Sequence, residues 1–274
     1  HRDLHSFPTR RSSDLLGPEI DRLESDLAGD GWEVVRSNVA RMAISPASTN
    51  TADWAPRLAE LEAMRAIIQT NYAVDPARTR SVFLLGRIPA PYSGYIAPDG
   101  HGNHIGAWPA DGYFGDVDGV WSDAGSSNTT ASDRRNWNVP GDGKFSHNTI
   151  PSTLEVAVGR VDLSSMTSVP LGVSEEAKLR QYLNRDHDFR HLRGPYASVP
   201  RRALIDDHFN YFGGEAFAAS GWRNGFMFFG RASTNVTALD WFTTLGTNQY
   251  LLAYGCGGGS HTSASGIGTS TYDF

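Results

Sequence analysis

Apolar residues recur at helical spacing where regular patterning begins: Ile20, Leu23 and Leu27 share a face, Pro18 opens the segment, and Gly29 and Gly31 close it. Trp32-Glu33-Val34-Val35 then predicts a short strand. A second helix, capped by Thr51 or Asp53, carries Leu58, Leu61, Met64, Ile68 and Tyr72 along one face. Ser81-Val82-Phe83-Leu84-Leu85-Gly86 is a continuous apolar run, the pattern of a strand covered on both faces. Leu154–Arg160 predicts another strand, and a helix follows from Ser174 to Asp188. Ser174 supplies its cap, and Glu175 and Glu176 sit in the first turn, where the helix dipole favours negative charge. Helix and strand alternating in this order predict α/β architecture with a parallel sheet.

A boundary is expected near Arg193–Arg202. Beyond it the pattern restarts: strand Arg202–Asp207, helix Gly214–Ser220, strand Gly225–Phe229, helix Ala238–Leu245 and strand Gln249–Tyr254. The chain is therefore expected to hold two α/β subdomains, 16–197 and 198–274. The first carries a long loop over 87–150 that is rich in Gly, Pro, Asp, Ser and aromatic residues; loops of that length are commonly functional or metal-stabilised. Residues 1–15, HRDLHSFPTRRSSDL, lack any periodicity and look like translated sequencing-adapter read-through, outside the fold. Thr269–Phe274 is a polar loop rather than a domain end, so the chain is expected to be an internal piece of a longer protein.

At 274 residues and 39% hydrophobic content the chain can bury one large core or two smaller ones. Its net charge of −6 and pI near 5.8 provide no basic stripe for a phosphate backbone, which argues against nucleic-acid binding. The longest apolar runs have strand length, so no bilayer span is expected. A single cysteine excludes an intramolecular disulfide and is silent on the redox compartment.

That cysteine ends a strand: Gln249-Tyr250-Leu251-Leu252-Ala253-Tyr254-Gly255-Cys256, followed by Gly257-Gly258-Gly259-Ser260-His261. A thiol needs an adjacent imidazole to become a thiolate nucleophile. His261 lies within reach across the glycines; His208 qualifies if the strand ending at Asp207 neighbours the one ending at Cys256. The opposing reading makes Cys256 a small core residue in a tight glycine turn. Asp116-Val117-Asp118-Gly119-Val120-Trp121-Ser122-Asp123 alternates carboxylates before a glycine, which suits Ca²⁺ held by oxygen ligands, although the spacing is not that of an EF-hand. Asp116, Asp118, Asp123 and Asp111 are the candidate ligands of a structural calcium ion, with Asp99 and Asp142 nearby; the alternative is a solvated acidic turn. Tyr92, Tyr95, Trp108, Tyr113, Phe114, Trp121 and Trp137 form either a stacking platform for sugars or the mini-core beneath the loop. His101 and His104 have zinc-ligand identities without a supporting helix or cysteine pair, and Asn128 and Asn235 open glycosylation-acceptor triplets.

Several short motifs occur in a telling order: Val82-Phe83-Leu84-Leu85-Gly86 with Ile88-Pro89, Ala110-Asp111-Gly112-Tyr113-Phe114-Gly115-Asp116, Glu155-Val156-Ala157-Val158-Gly159-Arg160-Val161, and Ala253-Tyr254-Gly255. With the helix before Arg193 and the strand after it, this order resembles the catalytic region of gingipain-type cysteine peptidases over most of Leu16–Phe274. The resemblance implies an N-terminal α/β subdomain followed by the start of a caspase-like sheet with helices on its faces. It also implies secretion or cell-surface display by a bacterium, a polypeptide substrate, and hydrolysis through a thiol acyl-enzyme. In that family the catalytic His follows a glycine at the end of one sheet strand, and the catalytic Cys ends the next. Leu251–His261 matches the first position, but Gly255-Cys256-Gly257 stands where the family has Gly-His-Gly, and the strand carrying the family's Cys is expected beyond Phe274. Cys256 and His261 are the catalytic candidates within this chain. The alternative is a catalytically silent extracellular binding or structural module of the same fold, calcium-stabilised, or a calcium-dependent carbohydrate binder.

Overall fold

The computed structural model describes residues 15–42, 54–98, 100–125, 127–164, 166, 172–210, 218–260, 263–264 and 268–269. The fold is α/β, with small parallel and antiparallel sheets. Two compact units divide the chain: Val34–Ser165 forms one, and Leu16–Glu33 joins Met166–Phe274 in the other. The boundary expected at 197/198 falls inside the second unit.

In the first unit, helix α2 (Ala55–Val74; α1, Gly17–Gly29, belongs to the second unit) buries Leu61, Met64 and Ile68, while Leu58 and Tyr72 pack at the margin, as their spacing predicts. The expected caps Thr51 and Asp53 lie outside the described residues. Strand β1 (Ser81–Leu85) runs parallel to β4 (Ala157–Val161), with Ser81 opposite Ala157 and Leu85 opposite Val161. Leu84 is buried but Phe83 is 44% exposed, so β1 is covered on one face rather than two. The covered face is that of Val82 and Leu84, which join the core holding Leu61, Met64 and Ile68. Between them, the 87–150 stretch is ordered rather than featureless. It holds an antiparallel pair, β2 (Tyr92–Ile96) and β3 (Gly106–Pro109), and the single-turn helix α3 (Gly112–Gly115). Tyr113 and Phe114 of α3 reach the same core as α2 and β1, and Tyr113 stacks on Phe145 with ring centroids 4.6 Å apart.

In the second unit, α1 forms as predicted, with Pro18 in its first turn and Gly31 at φ +93° just past its end. Trp32–Val35, expected as a strand, spans the junction of the two units and makes no ladder pairing among the described residues; Trp32 is 50% exposed. Helix α4 (Glu175–Arg190) is capped by Ser174, whose hydroxyl accepts from the Ala177 N–H at 3.2 Å. A three-stranded parallel sheet follows, ordered β6 (Val236–Ala238), β5 (Ala203–Asp207), β7 (Leu252–Cys256). The run Gly225–Phe229, expected as a strand, belongs to helix α5 (Ala219–Phe229). A short apolar run does not separate the two states by itself; here Trp222, Phe226 and Phe229 recur at helical spacing and pack on the sheet core. Helix α6 (Trp241–Leu245) is shorter than the predicted Ala238–Leu245 because Val236–Ala238 pairs with β5 instead. Among the described residues no helix is long and apolar enough to cross a membrane.

Candidate functional site

Strand β5 delivers Asp206, Asp207 and His208 to the carboxyl edge of the parallel sheet. In the β5–β7 ladder Asp207 is opposite Cys256, and the His208 N–H donates to the Cys256 carbonyl at 2.8 Å. The chain leaves β5, builds β6 on one side, then crosses to the other side for β7. The carboxyl ends of β5 and β7 therefore flank the point where strand order reverses, the place where open α/β sheets bind ligands. The strand ends are thus neighbours, the condition under which His208 approaches Cys256.

The side chains divide that edge in two. The His208 imidazole lies on Asp206, Nε2 to Oδ1 at 3.1 Å, and the other oxygen of the buried Asp206 accepts from the Trp241 N–H at 2.8 Å. Asp240 caps α6 by accepting from the Thr243 N–H at 2.8 Å; that bond, a second from the Thr243 hydroxyl and the nearby His208 hold its carboxyl below the usual range. Asp206, His208 and Asp240 present ligand atoms within 4.8 Å of one another. Cys256 is half-buried at the margin of the core cluster that holds Ala203, Ile205, Ala218 and Val236. Burial, and then the charge of Asp207, push its thiol above the ordinary value, so both influences favour the protonated form. His261 lies outside the described residues.

No family model, curated protein or solved structure matches the chain.

In the first unit the four predicted calcium ligands separate. Asp116 and Asp118 converge, joined by Glu155, with ligand atoms within 4.8 Å of one another. Asp111 instead forms a two-pronged pair with Arg160, at 2.7 and 2.8 Å, while the same guanidinium donates to the carbonyls of Ile88 and Pro89. Asp123 pins the 141–143 turn by accepting from the Gly141 and Gly143 N–H groups at 3.1 and 2.7 Å; burial raises its carboxyl despite those bonds. Asp142 pairs with the buried Lys144, and Asp99 lies outside the described residues.

Asp116 is fully buried and is the organiser of its loop. Its Oδ1 accepts from the Gly119 N–H at 2.9 Å and from the Ser152 hydroxyl; its Oδ2 accepts from the Trp121 indole at 2.9 Å and the Ser152 N–H at 3.3 Å. The Ser152 hydroxyl also lies 2.9 Å from Asp118 Oδ1, and one hydroxyl hydrogen serves only one of the two carboxylates. Glu155 accepts from the Val117 N–H at 2.6 Å. Acidic groups able to hold a metal ion are thus present here, although Asp116 also has a complete structural role without one. Glu155 was hidden in the sequence inside a run that reads as strand; its N–H donates to the Gly115 carbonyl at 3.0 Å, next to Asp116, and that contact sets it beside the loop.

The aromatic set is mostly core. Tyr92, Tyr113 and Phe114 are buried, and Trp121 packs edge-on against Tyr113 and Phe145. Trp108 and Trp121 also line a cleft of about 210 Å³ with Ser93, Ile96, His147 and Asn148. His101 and His104 lie side by side, ring centroids 5.3 Å apart, with His104 against Trp108.

Proposed function

We propose that this chain belongs to a secreted or cell-surface, gingipain-like cysteine peptidase that hydrolyses polypeptides at the carboxyl edge of the β6-β5-β7 sheet. What supports the reading is one juxtaposition: Cys256 ends its strand directly opposite Asp207 at the strand-order reversal, with the His208 backbone N–H on its carbonyl. In this mechanism the Cys256 thiolate attacks the scissile carbonyl, and N–H groups of the Gly257-Gly258 turn stabilise the oxyanion. An imidazole takes the thiol proton and returns it to the departing amine, leaving an acyl-enzyme that water hydrolyses. His261, five residues on from Cys256 across a glycine run, is the candidate for that proton transfer.

A second reading has a specific observation in its favour. A thiol held protonated by burial and by Asp207 suits a non-hydrolytic module of the same fold that binds polypeptide at this edge. A quenched fluorescent peptide pool separates the two. Hydrolysis that falls at least about 100-fold in both Cys256→Ala and His261→Ala supports the peptidase. Binding without hydrolysis, unaffected by Cys256→Ala, supports the silent module; hydrolysis unaffected by both substitutions overturns the assignment of Cys256.

The proposal includes a structural calcium ion at Asp116, Asp118 and Glu155, whose oxygens suit a hard cation. Calorimetric titration checks it with Asp118→Asn, the exposed member of the trio: Ca²⁺ binding is expected in the parent chain and lost in the variant. Absence of heat in the parent removes calcium from the proposal.

A further inference from the structure

Helices α1 and α4 meet through polar groups. No residue of α1 is fully buried, and the contacts to α4 run Glu19 to Arg180 at 2.8 Å, Asp26 to His187 and His191, and Asp30 to Arg190. The middle contact has unusual chemistry. His187 and His191 stand one helical turn apart at the C-terminal end of α4, their rings 4.4 Å apart centroid to centroid. They approach the same carboxylate from its two sides: His187 Nδ1 is 2.7 Å from Asp26 Oδ2, and His191 Nε2 is 2.8 Å from Asp26 Oδ1. Two imidazole nitrogens and a carboxylate oxygen thus converge within 4.8 Å.

We propose that Asp26, His187 and His191 form a binding site for a divalent transition-metal ion, zinc by donor set, that clamps α1 to α4. Two imidazoles and a carboxylate are a donor set of borderline character that zinc, and likewise cobalt, accepts in tetrahedral geometry, with solvent in the remaining position. The side chains of Asp26 and His187 are only 7% and 12% exposed while that of His191 is 45% exposed. The site therefore has a shielded base and an open approach for the ion on the His191 side. A wider opening of the three donors, by a few tenths of an ångström, accommodates metal–ligand bonds of about 2.0–2.2 Å.

Arg193 controls entry. Its Nη1 lies 2.9 Å from His187 Nε2, and a guanidinium is donor-only, so Nε2 is the acceptor and Nδ1 carries the ring hydrogen that goes to Asp26. When Nδ1 ligates an ion, the ring hydrogen resides on Nε2, which then faces the Arg193 N–H groups. Metal binding therefore shifts the His187 tautomer, without net proton release from that ring, and displaces Arg193. Replacing Arg193 by an acceptor removes the conflict and supplies the outer hydrogen bond that metal-bound histidines favour. This gate distinguishes a metal site from a plain hydrogen-bonded clamp, in which losing Arg193 weakens the cluster.

The test is titration of the full chain with Co²⁺, read by visible absorption, and with Zn²⁺ in competition with a chromophoric chelator. One tetrahedral Co²⁺ per chain is expected, displaced by Zn²⁺. Asp26→Asn and His191→Gln, which keep a polar side chain at each position, should each weaken binding at least about 10-fold, whereas Arg193→Gln should tighten it about 10-fold. Asp116→Asn and Cys256→Ala, at other clusters, should leave the spectrum unchanged. No tetrahedral cobalt in the parent chain, binding indifferent to Asp26→Asn and His191→Gln, or weaker binding in Arg193→Gln overturns the proposal. Circular dichroism of each variant shows that a loss is not unfolding.

Discussion

Gly119 shows how a single residue sets a loop's chemistry. A Cβ there would lie 2.1 Å from Asp116 Oδ2 and 2.3 Å from Oδ1, so any side chain expels the carboxylate from its place. Asp116 would then abandon the N–H and O–H groups of Gly119, Trp121 and Ser152 that it accepts in a buried position. Gly119→Ala is expected to cost about 2–3 kcal/mol, measured by urea unfolding, and to abolish any calcium binding. Cys256 carries a different expectation. Because burial and Asp207 raise its thiol, alkylation by iodoacetamide at pH 8 should be slower than that of a free small thiol, with the steep rise displaced to higher pH. Asp207→Asn removes one of the two causes and should move that rise back toward lower pH. A rate at pH 8 matching the free thiol would show that an imidazole offsets both influences, as the peptidase reading requires. The motif Asp116-Val117-Asp118-Gly119 was legible as acidic and turned. That its first carboxylate is an internal hydrogen-bond hub was not, because Ser152 and Trp121 reach it from distant positions or across the turn.

At the scale of elements, periodicity predicted helices α1, α2 and α4 close to their observed bounds, since each has an apolar face or strong punctuation by Pro, Gly or a Ser cap. It misassigned Gly225–Phe229, where five residues fit either state. The helix is selected by packing: Gly221 and Gly225, one turn apart, let α5 press onto the sheet. A Cβ on Gly221 would lie 2.4 Å from the Tyr254 ring, whereas one on Gly225 would be 3.2 Å from the nearest Val236 methyl. Alanine gains up to about 1 kcal/mol of helix propensity at either position. Gly221→Ala should nevertheless be net destabilising by about 1–2 kcal/mol, and Gly225→Ala close to neutral, by thermal or chemical unfolding. Equal effects would mean that α5 lies differently on the sheet.

At the scale of the molecule, the division of the chain has consequences for cooperativity. Leu16–Glu33 shares a unit with Met166–Phe274 although well over a hundred residues separate them in sequence. Destabilising α5 by Gly221→Ala should therefore reduce hydrogen-exchange protection in Gly17–Gly29 as well as in β5 and β7, and leave β1 and β4 unchanged. Protection loss confined to residues beyond 198 would show that α1 is not part of that cooperative unit. The amino-acid sequence determined the α/β class, most helices, the strands at 81–85, 157–161 and 203–207, and the turn residues that bound them. These follow from local spacing and capping, which a few neighbouring residues define. Only tertiary structure decided which strand ends become neighbours, which carboxylates meet, and that Asp26 faces a histidine pair some 160 positions later. Such pairings depend on sheet order and helix packing, and no local pattern encodes how far a crossover carries the chain before it returns.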